Sequence, residues 1–148
     1  MSSLSQSTQD LFVVGIGASA DGLSALEKLF DYLPTTTGAA FVVVQHLSPD
    51  FKSLMKELLE RNTSMPIYRI KDGIKLQPNS VYLIPPGQNL ALEGRVLRSF
   101  DRKKDENQKH ELNFPIDLFF TSLAHNFGEQ SIGVVLSGTG SDGTHGLK

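Results

Sequence analysis

A serine, a histidine and an aspartate stand at three separated points of this 148-residue chain, each just after an apolar run and among residues that turn the backbone. Ser19 lies in Gly17-Ala18-Ser19-Ala20-Asp21-Gly22, His46 follows Gln45, and Asp142 lies in Gly138-Thr139-Gly140-Ser141-Asp142-Gly143. These side-chain types are the parts of an acyl-transfer triad: a hydroxyl nucleophile, an imidazole that takes and returns its proton, and a carboxylate that holds the ring in one tautomer. A hydroxyl at the start of a helix also sits beside backbone N–H groups that lack intrahelical partners. It lies at the positive end of the helix dipole, where a developing oxyanion is stabilised.

The elements that must carry these residues are readable from the hydrophobic pattern. Leu11 to Ile16, Ala40 to Gln45 and Ser131 to Leu136 are mostly apolar on consecutive positions and rich in β-branched residues, as parallel strands buried on both faces are. In open parallel sheets the loops at the carboxyl ends of the strands converge on one crevice, which would gather the three polar residues. Between the first two strands, Leu23, Leu26, Phe30 and Leu33 recur at helical spacing before Pro34. Ser48-Pro49-Asp50 then reads as the start of a second helix with Phe51, Leu54, Leu58 and Leu59 on its apolar face. Ser80 to Ile84 reads as a short strand, and Leu90 to Glu93 with Arg95 to Phe100 as a hairpin turning at Glu93-Gly94. Asp101 to Glu111 is charged and without period, a solvated loop. Pro115 opens a last helix with Phe119, Phe120, Leu123 and Phe127 on one face, ended by Gly128. The fold class is therefore α/β: a mainly parallel, Rossmann-like doubly wound sheet with an inserted β-hairpin.

Other chemistries compete for the same residues. Gly15-x-Gly17-x-x-Ala20 approximates a dinucleotide fingerprint, but Gln45-His46 stand where that motif wants an acid for the ribose. The nucleophile-elbow pattern Gly-x-Ser-x-Gly fails at Asp21, and Ser19 taken alone would serve as an ordinary helix N-cap. His145, three residues after Asp142, competes with His46 for the role of base. His110 falls in the charged loop and His125 on the last helix, where solvated or packing roles suffice. A metal site from His46, Asp142 and His145 has no close-spaced ligand pair to recommend it, and no cofactor is expected.

Composition bounds the rest. At 39% apolar content the chain can bury one core, giving a polar tail over 1–10 and a single domain over 11–148. A net charge of −2 gives no reason to expect nucleic acid or an anionic membrane as partner. The absence of cysteine excludes disulfides, thiolate metal sites and a cysteine nucleophile. No apolar run approaches the roughly 20 residues of a membrane helix, and the first ten residues lack a signal-peptide profile, so a cytoplasmic domain is expected.

Five segments in order carry a resemblance to a known family. Gly15-Ile-Gly-Ala-Ser19-Ala-Asp-Gly22-Leu, the Val-Val-Val-Gln45-His46 strand end, the Ile84-Pro-Pro-Gly87 turn, the Phe114-Pro-Ile-Asp117 helix start and Leu136-Ser-Gly-Thr-Gly-Ser-Asp142-Gly resemble the catalytic domain of the bacterial chemotaxis protein-glutamate methylesterases, CheB. The resemblance implies that Ser19 is the nucleophile, His46 the general base and acid, and Asp142 the orienting carboxylate, with Ala20 and Thr139 lining the oxyanion site. It implies as substrate the γ-methyl esters of glutamates on chemoreceptor cytoplasmic helices, hydrolysed to carboxylate and methanol, with glutamine deamidation as a second activity. The alternative is a non-catalytic, methylesterase-like binding module.

The chain departs from the family pattern in ways that narrow it further. Ser19-Ala20-Asp21-Gly22 stands where the family usually reads Ser-Thr-Gly-Gly, and Thr139 stands where the two-component enzymes usually carry methionine. Thr139 and the Phe-Pro-Ile-Asp helix start are more similar to methylesterase domains fused to methyltransferase and sensor modules in hybrid signalling proteins. With only ten residues ahead of the expected strand at Leu11, control by an attached receiver domain is not expected. Family members continue beyond the aspartate loop with a helix and a further strand, whereas Lys148 stands six residues after Asp142, so a sheet truncated at its C-terminal edge is expected.

Overall fold

The computed structural model describes residues 11–18, 22–45, 55–101 and 115–136. The polar tail, the Ser48-Pro49-Asp50 helix start and most of the charged loop lie outside the described residues. Strand β1 spans Val13–Ala18, helix α1 Leu23–Tyr32, β2 Ala40–Gln45 and α2 Met55–Leu59. Three short strands follow, β3 at Ile67–Arg69, β4 at Ile74–Lys75 and β5 at Ser80–Leu83. Next come β6 at Gln88–Glu93, β7 at Val96–Asp101, helix α3 at Pro115–Phe127, a 3-10 turn at Gly128–Gln130, and β8 at Ser131–Leu136.

The main sheet has the order β3-β5-β2-β1-β8 and every described pairing in it is parallel. Consecutive apolar residues are what such a sheet requires, because both faces are covered. One face packs Ile16, Phe41, Val43, Val81 and Leu83 against Leu26 and Phe30 of α1 and Met55 and Leu59 of α2. The other packs Val13, Ala40, Val42, Val44 and Tyr82 against Ile116, Phe119, Phe120 and Leu123 of α3. Helices on both faces make the doubly wound α/β architecture that the pattern predicts.

Helix ends follow local chemistry. Leu33 leaves α1 with φ −81° and ψ 128°, the extended geometry that a residue preceding proline must adopt. Gly128 ends α3 at φ +49°, a conformation that costs a residue with a Cβ.

The structure corrects the expected middle of the chain and the start of β1. The short strand expected at Ser80 to Ile84 is present as Ser80–Leu83 and joins the parallel sheet beside β2. The hairpin is wider than expected and turns at Gly94-Arg95 instead of Glu93-Gly94, with Glu93 paired to Val96 and Gly94 at φ +60°. β4 adds a third antiparallel strand to it. Leu90, Leu92 and Leu97 turn this small sheet toward α3, where polar side chains clamp it. The Leu92 N–H donates to Ser122 Oγ at 3.1 Å, the Gly94 N–H to Asn126 Oδ1 at 2.9 Å, and Asn126 Nδ2 donates to the Leu92 carbonyl at 3.0 Å.

β1 begins two residues later than expected and runs on through Gly17 and Ala18. Its glycines are strand residues because α3 lies directly on them. A Cβ on Gly15 would stand 2.9 Å from Leu123 Cδ2, and one on Gly17 would stand 2.5 Å from Ile116 Cγ2. Close helix packing therefore accounts for the Gly-x-Gly spacing that resembles a nucleotide fingerprint.

Candidate active-site crevice

Three neighbouring strands end level with one another. Ala18 at the end of β1 is paired with Gln45 at the end of β2 and with Leu136 at the end of β8. Adjacent strands are about 4.8 Å apart, so these three ends share an edge roughly 10 Å wide. The strand order also reverses here, with β2 on one side of β1 and β8 on the other. Ligands of open α/β sheets bind outside the carboxyl ends of the strands at such a switch point.

Ser19 is the next residue after Ala18, His46 the next after Gln45, and Asp142 comes six residues after Leu136. These three, with Ala20, Thr139, His110 and His145, lie outside the described residues. What the described residues settle is the convergence of the strands that lead into them. His125 is exposed on α3, in keeping with a surface role.

Two further features face this edge. The N-cap of α1 is Gly22, which has no side chain to cap the helix, and the first turn contains no acid. The amides of that turn therefore depend on another group for their hydrogen bonds. The start of α3 lies over the end of β1, because Ile116 is the residue that crowds Gly17.

Beside β2 lies a small cleft open to solvent, walled by Val43, Met55, Leu83, Ile84, Pro85 and Pro86. Its polar members are Gln45, Lys56 and Arg69. Gln45 is only 4% exposed. Arg69 crosses from β3 to α2 and donates to both carboxylate oxygens of Glu57, at 3.1 and 3.0 Å. A hydrogen bond from its own backbone, and then the Arg69 side chain, hold the Glu57 carboxyl below its ordinary range. Arg69 carried no readable signal in sequence, since β3 is three residues long and without period. The Ile84-Pro85-Pro86 turn, part of the family pattern, proves to be a wall of this cleft.

Among the described residues, no His, Asp or Glu side chains gather into a metal-binding group, and no helix is long and apolar enough to cross a membrane.

Fold and crevice together define a doubly wound α/β domain with its ligand edge at the reversal of strand order. Comparison with known proteins sharpens that class. The CheB methylesterase family matches residues 14–148. The chain is 33% identical over 139 residues to a protein-glutamate methylesterase/protein-glutamine glutaminase 2 of Methanospirillum hungatei, covering 94% of this chain and 39% of that protein. It is 46% identical over 93 residues to an uncharacterized 104.1 kDa protein of Rhodobacter capsulatus, covering 63% of this chain and 9% of that one. Among solved structures, the CheB methylesterase catalytic domain of Thermotoga maritima superposes with a TM-score of 0.74 at 28% identity, covering 91% of this chain and 71% of that one. The chain belongs to the CheB methylesterase family, and it spans well under half the length of the curated relatives just described.

Proposed function

We propose that the chain is a serine-type protein-glutamate methylesterase domain. Ser19 Oγ attacks the γ-carbonyl carbon of a glutamyl methyl ester while His46 takes its proton, and the tetrahedral oxyanion is met by backbone amides at the start of α1, with Ala20 and Thr139 lining the site. Collapse of the intermediate breaks the bond to the methoxy oxygen, and His46 returns the proton so that methanol leaves. Water, deprotonated by His46, then attacks the acyl-enzyme and releases glutamate. Asp142 orients the imidazole and stabilises its cationic form throughout. The same steps on a glutamine side chain would release ammonia, the second activity named for the Methanospirillum relative.

The observation that supports this assignment best is the register of β1 with both neighbours, which puts the residue before Ser19 level with the residue before His46. The methylesterase relatives are named for protein glutamate methyl esters, and the sequence resemblance suggests chemoreceptor cytoplasmic helices as the protein that carries them. The 104.1 kDa relative, of which this chain covers 9%, supports a domain that works in a larger protein; methyltransferase and sensor modules as its neighbours are our reading from the sequence resemblance. A cytoplasmic location, with neither nucleic acid nor membrane as partner, follows from that role. The domain is taken to run over 11–148, after a polar tail.

The deciding experiment measures methanol released from a methylated chemoreceptor fragment by the folded chain and by its Ser19→Ala variant. Release by the parent alone supports the esterase. Absence of release from a folded parent favours the second reading, a binding module, for which Asp21 beside the expected nucleophile is the sequence feature.

A further inference from the structure

Strand β1 carries different residues on its two faces. Toward α1 and α2 it presents Ile16 and Ala18, whereas toward α3 it presents Val13, Gly15 and Gly17. The contact at Gly17 is the closest: a Cβ there would lie 2.5, 3.1 and 3.3 Å from three carbons of Ile116, so the isoleucine rests on bare backbone two residues before Ser19. Ile116 is 4% exposed and stands in the first turn of α3, directly after Pro115. The helix is held from behind as well. Ser122 and Asn126 tie it to the antiparallel sheet through Leu92 and Gly94, and Leu90, Leu92 and Leu97 pack in the same cluster as its apolar face. A helix clamped on one side and seated on glycine backbone on the other presses at a fixed height on the strand end.

We infer that Ile116 is a positioning residue for the reaction at Ser19. Its side chain, seated on Gly17, sets the height of the end of β1 and so the place of the hydroxyl that follows, relative to the amides of α1 and the end of β2. The inference rests on Ser19 being the nucleophile. Carbon atoms prefer separations of about 3.5–4.0 Å, so a methyl group at Gly17 demands a shift of roughly 1 Å in the strand end or the start of α3. A misplacement of about 1 Å can cost about 10²-fold in rate.

The test uses a small fluorophosphonate that labels an activated serine, with rates corrected for the folded fraction seen by circular dichroism. Labelling of the parent at Ser19 is expected, with an approximately 10²-fold lower maximal rate in Gly17→Ala and little change in the reagent concentration giving half that rate. Removing the opposing side chain should restore the fit, so that Gly17→Ala with Ile116→Ala recovers to within about tenfold of the parent. Gly15→Ala meets neighbours nearly as tight, the nearest at 2.9 Å, two residues further from the nucleophile and serves as the control. It should lower stability yet leave the labelling rate of folded molecules within about threefold. If Gly17→Ala does not fold, Ile116→Ala alone carries the test, with a fall of about tenfold expected. A parent rate in folded Gly17→Ala or Ile116→Ala, an equal fall in Gly15→Ala, or no recovery in the double variant would overturn the inference while leaving Ser19 as nucleophile. A parent that is not labelled at Ser19 would overturn both.

Discussion

β2 and β8 begin as equals and end in different environments. Each is six residues long and apolar for most of its length, and each pairs with β1 in parallel over the same six positions. All six residues of β2 are buried, whereas no residue of β8 is, and Ile132 is 49% exposed. β2 lies between β1 and β5 with a helix layer on either face, while β8 pairs with β1 alone among the described residues. A run of consecutive apolar residues therefore announces a parallel strand without announcing its neighbours, and neighbours decide how firmly it is held. For the proposed triad the contrast has a consequence. His46 follows directly from a strand enclosed on four sides, whereas Asp142 comes six residues after a strand paired on one edge and only partly buried on its faces.

Substitution at the two strand ends should give the largest effects and unequal ones. His46→Ala removes the proposed proton carrier and should lower turnover by about 10⁶-fold, as loss of the base does in serine hydrolases, whereas Asp142→Asn should cost about 10⁴-fold. Initial rates of methanol release from folded variants measure both. If His145→Ala abolished turnover and His46→Ala did not, the end of β2 would lose its role as the carrier of the base, and the β8 side would carry both groups.

Stability should repeat the contrast at smaller scale. Phe41, in β2, is 2% exposed and meets the edge of Phe30 with ring centroids 5.9 Å apart at 73°. Phe41→Ala leaves a cavity between β2 and α1 and should cost about 3–5 kcal/mol. Ile132 occupies the equivalent part of β8 with half its surface in water, so Ile132→Ala should cost at most about 1 kcal/mol. Urea midpoints at constant slope read the difference. Similar costs at the two sites would mean that the outer side of β8 is covered in solution.

How much of this was legible beforehand depended on whether a signal was local. β2, α3 and β8 have the bounds expected of them, because each is a long, strongly patterned segment with its own start and stop residues. Gly17 read as a turn former although it is strand, because what requires it is Ile116, about a hundred residues away in sequence. β3 and β4, of three and two residues, are too short to show a period and exist through their pairing with β5 and β7. Ser80–Leu83 read correctly as a strand, but its place beside β2 was not legible, since a short apolar run says nothing about which partner a strand chooses. At the crevice, the strand pattern announced the shared edge on which the proposed chemistry rests. Arg69 stayed silent because it acts through a contact with Glu57 twelve residues away, on another element.

The two edges of the described sheet differ in the same spirit, and the smallest effect should lie at the edge opposite β8. β3 is short, and its outward Arg69 is engaged by Glu57, two of the devices by which sheet edges avoid pairing with other chains. The two side chains are 53% and 52% exposed, so the pair contributes little to stability and is screened by salt. Its sign is nevertheless fixed. The Glu57 carboxyl, lowered first by its own backbone hydrogen bond and then by Arg69, titrates below its ordinary 4.5 in the folded chain. A group more acidic when folded adds stability above the unfolded value and loses it as pH falls through the folded one. Glu57→Gln should therefore be slightly less stable than the parent at neutral pH, and the two urea midpoints should converge as pH drops below 4.5. Arg69→Met should erase part of the same difference at neutral pH, and about 1 M salt should shrink it. A gap that widened toward low pH would show that Glu57 holds β3 through its packing on α2, and that this edge, like β8, is secured by something other than charge.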